Sequence, residues 1–356
     1  MLDFYKSKKV FLTGHTGFKG TWLCRILLQA GAEVTGYALE PPTTPSLFVQ
    51  TNTKKDIHSI TGDVRDRTAL IKAVTNAKPD IVFHLAAQPI VRLSYREPTD
   101  TYETNVMGTV NILEAVRLTP SVKSFVNVTT DKVYENKEWY WGYRENESLC
   151  GYDPYSNSKS CSELVTYSYR NSFFTDENAP TISTARSGNV IGGGDYAEDR
   201  IIPDCIRAVN EKKEIMVRNP HSTRPYQHVL ECLSGYLVLA EKQYNNKAFQ
   251  GAYNFGPDDE SCVTTGDLSG LFCAAWGSGA AWQVQGDGGP HEANFLKLDC
   301  SKAKAVLGWK PCWDIRTAVE KTVEFAKIGT NNERLICVDR QIGLYFNKAL
   351  NNHTTV

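Results

Sequence analysis

The 356-residue sequence lacks long apolar runs, an excess of charge of one sign and paired cysteines. No apolar run approaches the roughly 20 residues that cross a bilayer. Near the N-terminus, Val10–Leu12 is followed by Thr13 and Gly14, and this run is too short for the core of a signal peptide. We therefore expect a cytoplasmic protein that has no contact with a membrane.

The charges nearly balance, with 39 lysines and arginines against 40 aspartates and glutamates, so the formal net charge is −1. Such a chain has no overall attraction for nucleic acid, and we expect no nucleic-acid partner. A phosphate-bearing ligand would have to be held by a few local cations.

The ten cysteines form no C-x-x-C pair. In a chain of this length they predict reduced thiols rather than a disulfide framework or a zinc site, and we predict no bound metal. The length allows one large domain or two modest ones, each with a real core.

A glycine-rich turn lies between a predicted strand, Lys9–Leu12, and a predicted helix, Thr21–Ala30; a second strand, Glu33–Leu39, follows. Glycines let the backbone approach a phosphate, and the helix N-terminus offers free N–H groups. The alternative is that these glycines serve packing only. Because a strand precedes the turn and a helix and a strand follow it, we favour dinucleotide binding. The predicted contacts are Gly14, His15, Thr16, Gly17, Phe18, Lys19 and Gly20.

Strand and helix patterns alternate up to about residue 186, which predicts a Rossmann-like, doubly wound parallel α/β sheet. The alternation then weakens, which indicates a smaller, interleaved α/β substrate domain. We predict a cofactor domain of residues 1–186 plus about 225–256 and a substrate domain of about 187–224 plus 257–345. A polar tail of 346–356 is expected to be disordered.

The segment 129–159 carries the densest acid–base chemistry of the chain. Thr130, Asp131 and Lys132 follow the predicted strand Ser124–Val128, and Tyr155 and Lys159 have helical i,i+4 spacing. One cation at about 4 Å contributes roughly 4 kcal/mol at an effective dielectric constant of about 20. That matches the roughly three pH units by which a tyrosine pKa must fall to reach neutrality. Lys159 and an oxidised nicotinamide would then make Tyr155 a base, whereas the alternative is a surface contact.

The G-x-x-G-x-x-G spacing and the later Tyr-x-x-x-Lys pair resemble the extended branch of the short-chain dehydrogenase/reductase superfamily. The preceding Thr-Asp pair resembles the nucleotide-sugar 4,6-dehydratases. This resemblance implies NAD, tightly bound and regenerated in each turnover: C4 of the sugar is oxidised, water leaves from C5 and C6, and the hydride returns to C6. It also implies that Tyr155 and Lys159 contact NAD, Thr130 binds the substrate hydroxyl, and Asp131 is a general acid.

The same resemblance assigns further cofactor contacts. Asp63 and Val64 correspond to adenine contacts, and the segment beside the nicotinamide ribose comprises Leu85, Ala86, Ala87 and Gln88. Ala38 stands where an acid usually holds the adenosine ribose, with Glu40 two residues on. No arginine is nearby to accept a 2′-phosphate, so we expect NAD rather than NADP. We expect His84 and Asn105 to be buried structural residues.

Lys132 stands where most of these dehydratases have a glutamate that serves as the C5 base. Together with residues 14–20 and 138–147, it resembles the subgroup that acts on CDP-D-glucose. The resemblance implies a lyase in deoxysugar and O-antigen (lipopolysaccharide) biosynthesis. It also implies a homodimer or homotetramer, for which Pro98–Leu118 and Ser156–Asn171 are the expected packing helices. Lys132 is either a neutral C5 base or an ion-pair partner that orients Asp131.

A CDP-sugar brings a diphosphate, and the predicted substrate contacts are Asn189, Arg200, Arg224, Arg92 and His291. Two alternatives remain open at this point. A nucleotide-sugar 4-epimerase would use the same tyrosine and lysine, and a non-catalytic NAD-binding protein would keep only the glycine turn.

Overall fold

A seven-stranded parallel sheet forms the centre of the computed structural model, which describes residues 2–277, 279–286 and 294–353. Its strand order is β3-β2-β1-β4-β5-β6-β11, which is the predicted doubly wound arrangement. The sheet strands are β1 (Lys9–Thr13), β2 (Glu33–Ala38), β3 (His58–Thr61), β4 (Ile81–His84), β5 (Ser124–Val128), β6 (Thr181–Ser187) and β11 (Ala252–Phe255). The shorter strands are β7 (Val190–Ile191), β8 (Ile215–Val217), β9 (Thr223–Arg224), β10 (Gln227–His228), β12 (Val263–Thr264) and β13 (Trp282–Val284).

Helices cover both faces of the sheet. They are α1 (Phe18–Gln29), α2 (Leu47–Gln50), α3 (Arg67–Ala77), α4 (Val91–Arg96), α5 (Pro98–Tyr102), α6 (Gly108–Arg117), α7 (Pro154–Phe173), α8 (Ile201–Asn210), α9 (Val229–Asn245), α10 (Thr265–Trp276), α11 (Ile315–Ala326) and α12 (Asn331–His353). One π-helical turn, Glu103–Met107, joins α5 to α6, so the single helix predicted over 98–118 contains this interruption. A second π-helical turn comprises Ala303–Leu307.

The central strands are buried on both faces, as their near-continuous apolar sequences predict. All five residues of β5 are buried. Apolar residues of α1 and α9 pack on one face of the sheet, and those of α3 and α6 pack on the other. Because every strand is parallel, β1, β4, β5 and β6 end at the same edge, and the predicted site segments follow those ends.

A third core lies outside the sheet and is built from α8, α10, α11 and short strands. It contains Ile202, Leu268 and Val319. The seventh sheet strand, Ala252–Phe255, comes from the later part of the chain. The division into a cofactor domain and a substrate domain stays a prediction.

The expected disorder of the tail is wrong as far as His353, because α12 runs from Asn331 to that residue. Phe346 is buried in the core shared with the sheet. Asp339 of α12 forms an ion pair with Arg25 of α1 at 2.8 Å. The buried apolar side of α12 holds this otherwise polar segment against the rest of the protein. Over the residues described, no helix combines the length and apolar character needed to span a membrane.

Candidate active site

The turn between β1 and α1 requires glycine at its two ends. Gly14 has φ = +76°, and a Cβ there would lie 2.8 Å from the backbone nitrogen of Ala86. A Cβ on Gly20 would lie 2.1 Å from the carbonyl oxygen of Gly14. The turn is therefore pressed between the start of α1 and the segment that follows β4.

The N-terminus of α1 has the form of an anion site. Its N-cap residue is Gly17, and no side chain caps the helix. A Cβ on Gly17 would meet only the Gly14 carbonyl oxygen, at an ordinary 3.5 Å. The first-turn N–H groups of a 12-residue helix are thus available to a phosphate. These features fit the predicted dinucleotide diphosphate.

Two side chains of the turn point into the protein. The His15 ring contacts Ser59 at 2.7 Å and lies against Gly36 of β2, and burial lowers the pKa of His15 to about 4. Lys19 reaches in the other direction, and its Nζ donates to Ser187 Oγ at 2.9 Å. Burial lowers the pKa of Lys19. Lys19 therefore extends from the glycine turn towards the carboxyl end of β6.

The segment after β4 is held by buried polar side chains. Asn105 accepts from the backbone nitrogen of Gln88 at 2.8 Å and donates to the Gln88 carbonyl and to Ser158 of α7. Leu85 and Ala86 donate backbone hydrogen bonds to Thr13. His84 is buried and contacts the Thr13 hydroxyl at 2.7 Å. Asn105 and His84 are both buried, as predicted, and their structural role stays a prediction.

Asp131 has an unused, buried carboxyl oxygen. Its Oδ1 accepts from Thr130 Oγ1 at 2.9 Å, whereas its Oδ2 has no hydrogen-bond partner. Burial raises the pKa of Asp131, while Lys132 and Arg224 lower it. A Cβ on Gly188 would come within 3.0 Å of Oδ2, so glycine leaves room there. A buried carboxyl group with a raised pKa and a free oxygen is suited to donating a proton.

Tyr155 and Lys159 lie on one face of α7, beside Thr130. Burial raises the pKa of Tyr155 to about 12, while a hydrogen bond with Thr130 and the charge of Arg200 lower it. The Nζ of Lys159 donates to the Val128 carbonyl at 3.1 Å. Burial, and to a smaller extent the charge of Lys19, lower the pKa of Lys159 to about 8. Burial thus outweighs the nearby cations in the protein without NAD. That Lys159 and an oxidised nicotinamide together make Tyr155 a base stays a prediction.

Two arginines from distant parts of the chain meet at Asp199. Arg218 donates to its Oδ1 at 3.0 Å, and the Nε of Arg92 lies 3.6 Å from the same oxygen. Arg200, the next residue, lies 3.7 Å from Asp195. The structure thus brings Arg92 and Arg218 to the residue that precedes Arg200. The substrate contacts of Arg92 and Arg200 stay predictions.

The remaining predicted contacts are placed as follows. Arg224 is buried close enough to Asp131 to lower its pKa, and Asn189 is half-buried directly before β7. Asp63 is paired with Arg65 at 2.7 Å, and Val64 is buried. Glu40 accepts from Thr61 at 3.0 Å. His291 lies outside the described residues.

Sequence reasoning missed two features. Arg218 gave no local signal, since only the fold brings it to Asp199. Glu163 did give one, because it continues the Tyr155, Lys159 series at the same four-residue interval on α7. It is buried and paired with Arg186 at 2.9 Å.

Comparison with known proteins places this arrangement in a family. Residues 11–257 match the profile described as GDP-mannose 4,6 dehydratase. The chain is 49% identical over 349 residues to CDP-glucose 4,6-dehydratase of Salmonella typhimurium, covering 96% of this chain and 97% of that one. The crystal structure of dTDP-glucose 4,6-dehydratase from Bacillus anthracis in complex with NAD superposes with a TM-score of 0.74 at 20% identity, over 89% of this chain and 96% of that one. UDP-glucuronic acid 4-epimerase from Bacillus cereus, in complex with UDP-glucuronic acid and NAD, gives 0.77 at 22% identity, over 89% and 98%. The chain belongs to the GDP-mannose 4,6-dehydratase family.

Proposed function

We propose that this protein is a lyase that converts CDP-D-glucose to CDP-4-dehydro-6-deoxy-D-glucose and water, with NAD as its resident cofactor. The observation that carries the proposal is the grouping of Thr130, Asp131 and Lys132 beside Tyr155 and Lys159 in a chain 49% identical to a CDP-glucose 4,6-dehydratase. The uncapped α1 N-terminus and Gly14 would hold the cofactor diphosphate. When bound, NAD supplies a reversible hydride acceptor for the sugar.

Each protein residue then has one task. Tyr155 takes the proton of the C4 hydroxyl, and Thr130 hydrogen-bonds to the same hydroxyl. The ketone formed at C4 acidifies the C5 proton, and Asp131 protonates the departing C6 hydroxyl through its free oxygen. Lys159 fixes the helix to the end of β5 through the Val128 carbonyl.

A deoxysugar pathway for a surface polysaccharide, a cytoplasmic location and a homodimer or homotetramer go with this proposal. All ten cysteines are free thiols, which is typical of a reducing compartment. Tyr102, Met107, Leu164 and Tyr167 are exposed on the helical face that runs from α5 to α7. An apolar helical face of this kind is suited to packing against a second copy of the chain.

The role of Lys132 can be decided by comparing two substitutions. If Lys132 removes the C5 proton, both Lys132→Ala and Lys132→Arg should slow elimination, since arginine keeps its proton. If it orients Asp131, Lys132→Arg should remain active. Single-turnover elimination with C5-deuterated CDP-D-glucose measures this, and an unchanged rate in Lys132→Ala would remove Lys132 as the base.

Arg218→Gln is expected to raise the KM for CDP-D-glucose about 10- to 100-fold with a smaller change in kcat. The reason is that hydrogen bonds to charged groups contribute about 1.5–3 kcal/mol. Arg117→Gln serves as the control, because Arg117 is exposed and paired with Glu114 in the last turn of α6. Steady-state kinetics measure both variants. Equal KM values for Arg218→Gln and the unaltered protein would exclude Arg218 from the diphosphate site.

The substrate is tested by incubating the protein and NAD with CDP-, dTDP-, GDP- and UDP-hexoses and measuring the alkaline absorbance of 4-keto sugars. We expect CDP-D-glucose to be turned over. If another nucleotide sugar is turned over and CDP-D-glucose is not, the assignment of CDP-D-glucose as the substrate is wrong. Epimerised hexose without keto sugar would indicate a 4-epimerase.

A further inference from the structure

A buried ion pair lies one helical turn beyond Lys159. The carboxylate of Glu163 on α7 pairs with the guanidinium of Arg186 on β6, and their side chains are 4% and 3% exposed. Arg186 donates from Nε to Oε1 and from Nη2 to Oε2, both at 2.9 Å. Such a bidentate pair fixes the position of the carboxylate.

Two threonines complete the coordination of this carboxylate, one on each oxygen. Thr129 Oγ1 donates to Oε1 at 2.5 Å, and Thr184 Oγ1 donates to Oε2 at 2.7 Å. Both threonines are 4% exposed. They differ in their neighbours, because Thr184 lies within β6, whereas Thr129 directly precedes Thr130.

Thr129 also lies between two groups that the proposed reaction uses. Its preceding residue, Val128, offers the carbonyl that accepts from Lys159 at 3.1 Å. The following residue, Thr130, hydrogen-bonds to Asp131 and Tyr155. Beyond the last residue of β5, the Thr129 backbone nitrogen still donates to Ala185 at 2.9 Å. The side chain of Thr129 therefore adds a second restraint where the strand ends.

We propose that Thr129 is a positioning residue. Its hydrogen bond to the buried Glu163–Arg186 pair fixes the backbone between Val128 and Thr130. In this way it determines the position of the Thr130 hydroxyl relative to Tyr155. It also determines the position of the Val128 carbonyl to which Lys159 donates. Thr129 itself is 4% exposed and donates to Glu163, so we assign it no contact with the substrate. The inference rests on the proposed function, because its readout is turnover of CDP-D-glucose.

Thr129→Val and Thr184→Val form a matched pair for the test. Each removes one hydroxyl that donates to the same carboxylate, so we expect similar decreases in melting temperature. Misplacing a reacting group by about 1 Å can lower a rate about 100-fold. We therefore expect kcat to fall at least about 10-fold in Thr129→Val, with an unchanged KM, and to stay near the unaltered value in Thr184→Val.

Thr129→Ser keeps the hydroxyl and should restore most of the kcat that Thr129→Val loses. Equal kcat values in the two valine variants, or a serine variant as slow as Thr129→Val, would overturn the positioning role. An unaltered protein that does not turn over CDP-D-glucose would contradict the proposed function instead. The two failures are therefore separable in one series of assays.

Discussion

Replacing Tyr155 with phenylalanine is expected to lower kcat for CDP-D-glucose by about 10²- to 10⁴-fold and to abolish reduction of NAD by the substrate. The substitution keeps the ring and removes the hydroxyl group that we propose takes the C4 hydroxyl proton. Burial raises the pKa of Tyr155 to about 12, and Thr130 and Arg200 lower it only in part. An additional positive charge is therefore needed near the phenol before it can act as a base at neutral pH.

The measurement is the appearance of reduced-nicotinamide absorbance after substrate is mixed with the NAD-loaded protein. Tyr167→Phe is the matched control, because its phenol is exposed on the same helix three turns further along. It should reduce NAD at the unaltered rate. If Tyr155→Phe also does so, the tyrosine is not the base.

Replacing Asp131 with asparagine is expected to separate oxidation from elimination. The asparagine has nearly the same shape but no acidic proton, so loss of water should slow by about 10²- to 10⁴-fold while NAD is still reduced. Reduced nicotinamide should then accumulate on the protein. The raised pKa of Asp131 also predicts that elimination weakens with increasing pH, because only the protonated carboxyl group can donate.

A fluorinated substrate controls for a general loss of structure. Fluoride leaves from C6 of CDP-6-deoxy-6-fluoro-D-glucose with less need for an acid, so Asp131→Asn should eliminate it at close to the unaltered rate. Rapid quenching and product analysis measure both substrates. If Asp131→Asn loses water from CDP-D-glucose at the unaltered rate, Asp131 is not the acid.

Local patterns in the sequence predicted the parts of the fold that depend on local forces. The strand Ser124–Val128 was predictable from its largely apolar sequence, because a strand that is buried on both faces needs such a sequence. The glycine turn was recognisable because Gly14 and Gly20 leave no space for a Cβ. The polar composition after residue 346 led to the wrong prediction of a disordered tail. The helix α12 needs only one apolar side to pack against the protein, and residues such as Ile342 and Phe346 form that side.

Long-range interactions were beyond the sequence patterns. Arg92 and Arg218 are far apart in the chain and meet only at Asp199. The burial that raises the pKa of Tyr155 was also beyond the sequence, because sequence spacing indicates which charge is near but not how completely water is removed. Glu163 was within reach of the i,i+4 pattern, but its partners Thr129 and Arg186 come from two strands.

Deuterium transfer from C4 to C6 tests the central claim most directly. CDP-D-glucose labelled with deuterium at C4 is incubated with the protein and NAD, and the product is examined by NMR and mass spectrometry. We predict a 4-keto-6-deoxy product that carries the deuterium in its C6 methyl group. A product that keeps deuterium at C4 as an epimerised hexose, or a keto sugar without deuterium at C6, would contradict the proposed reaction.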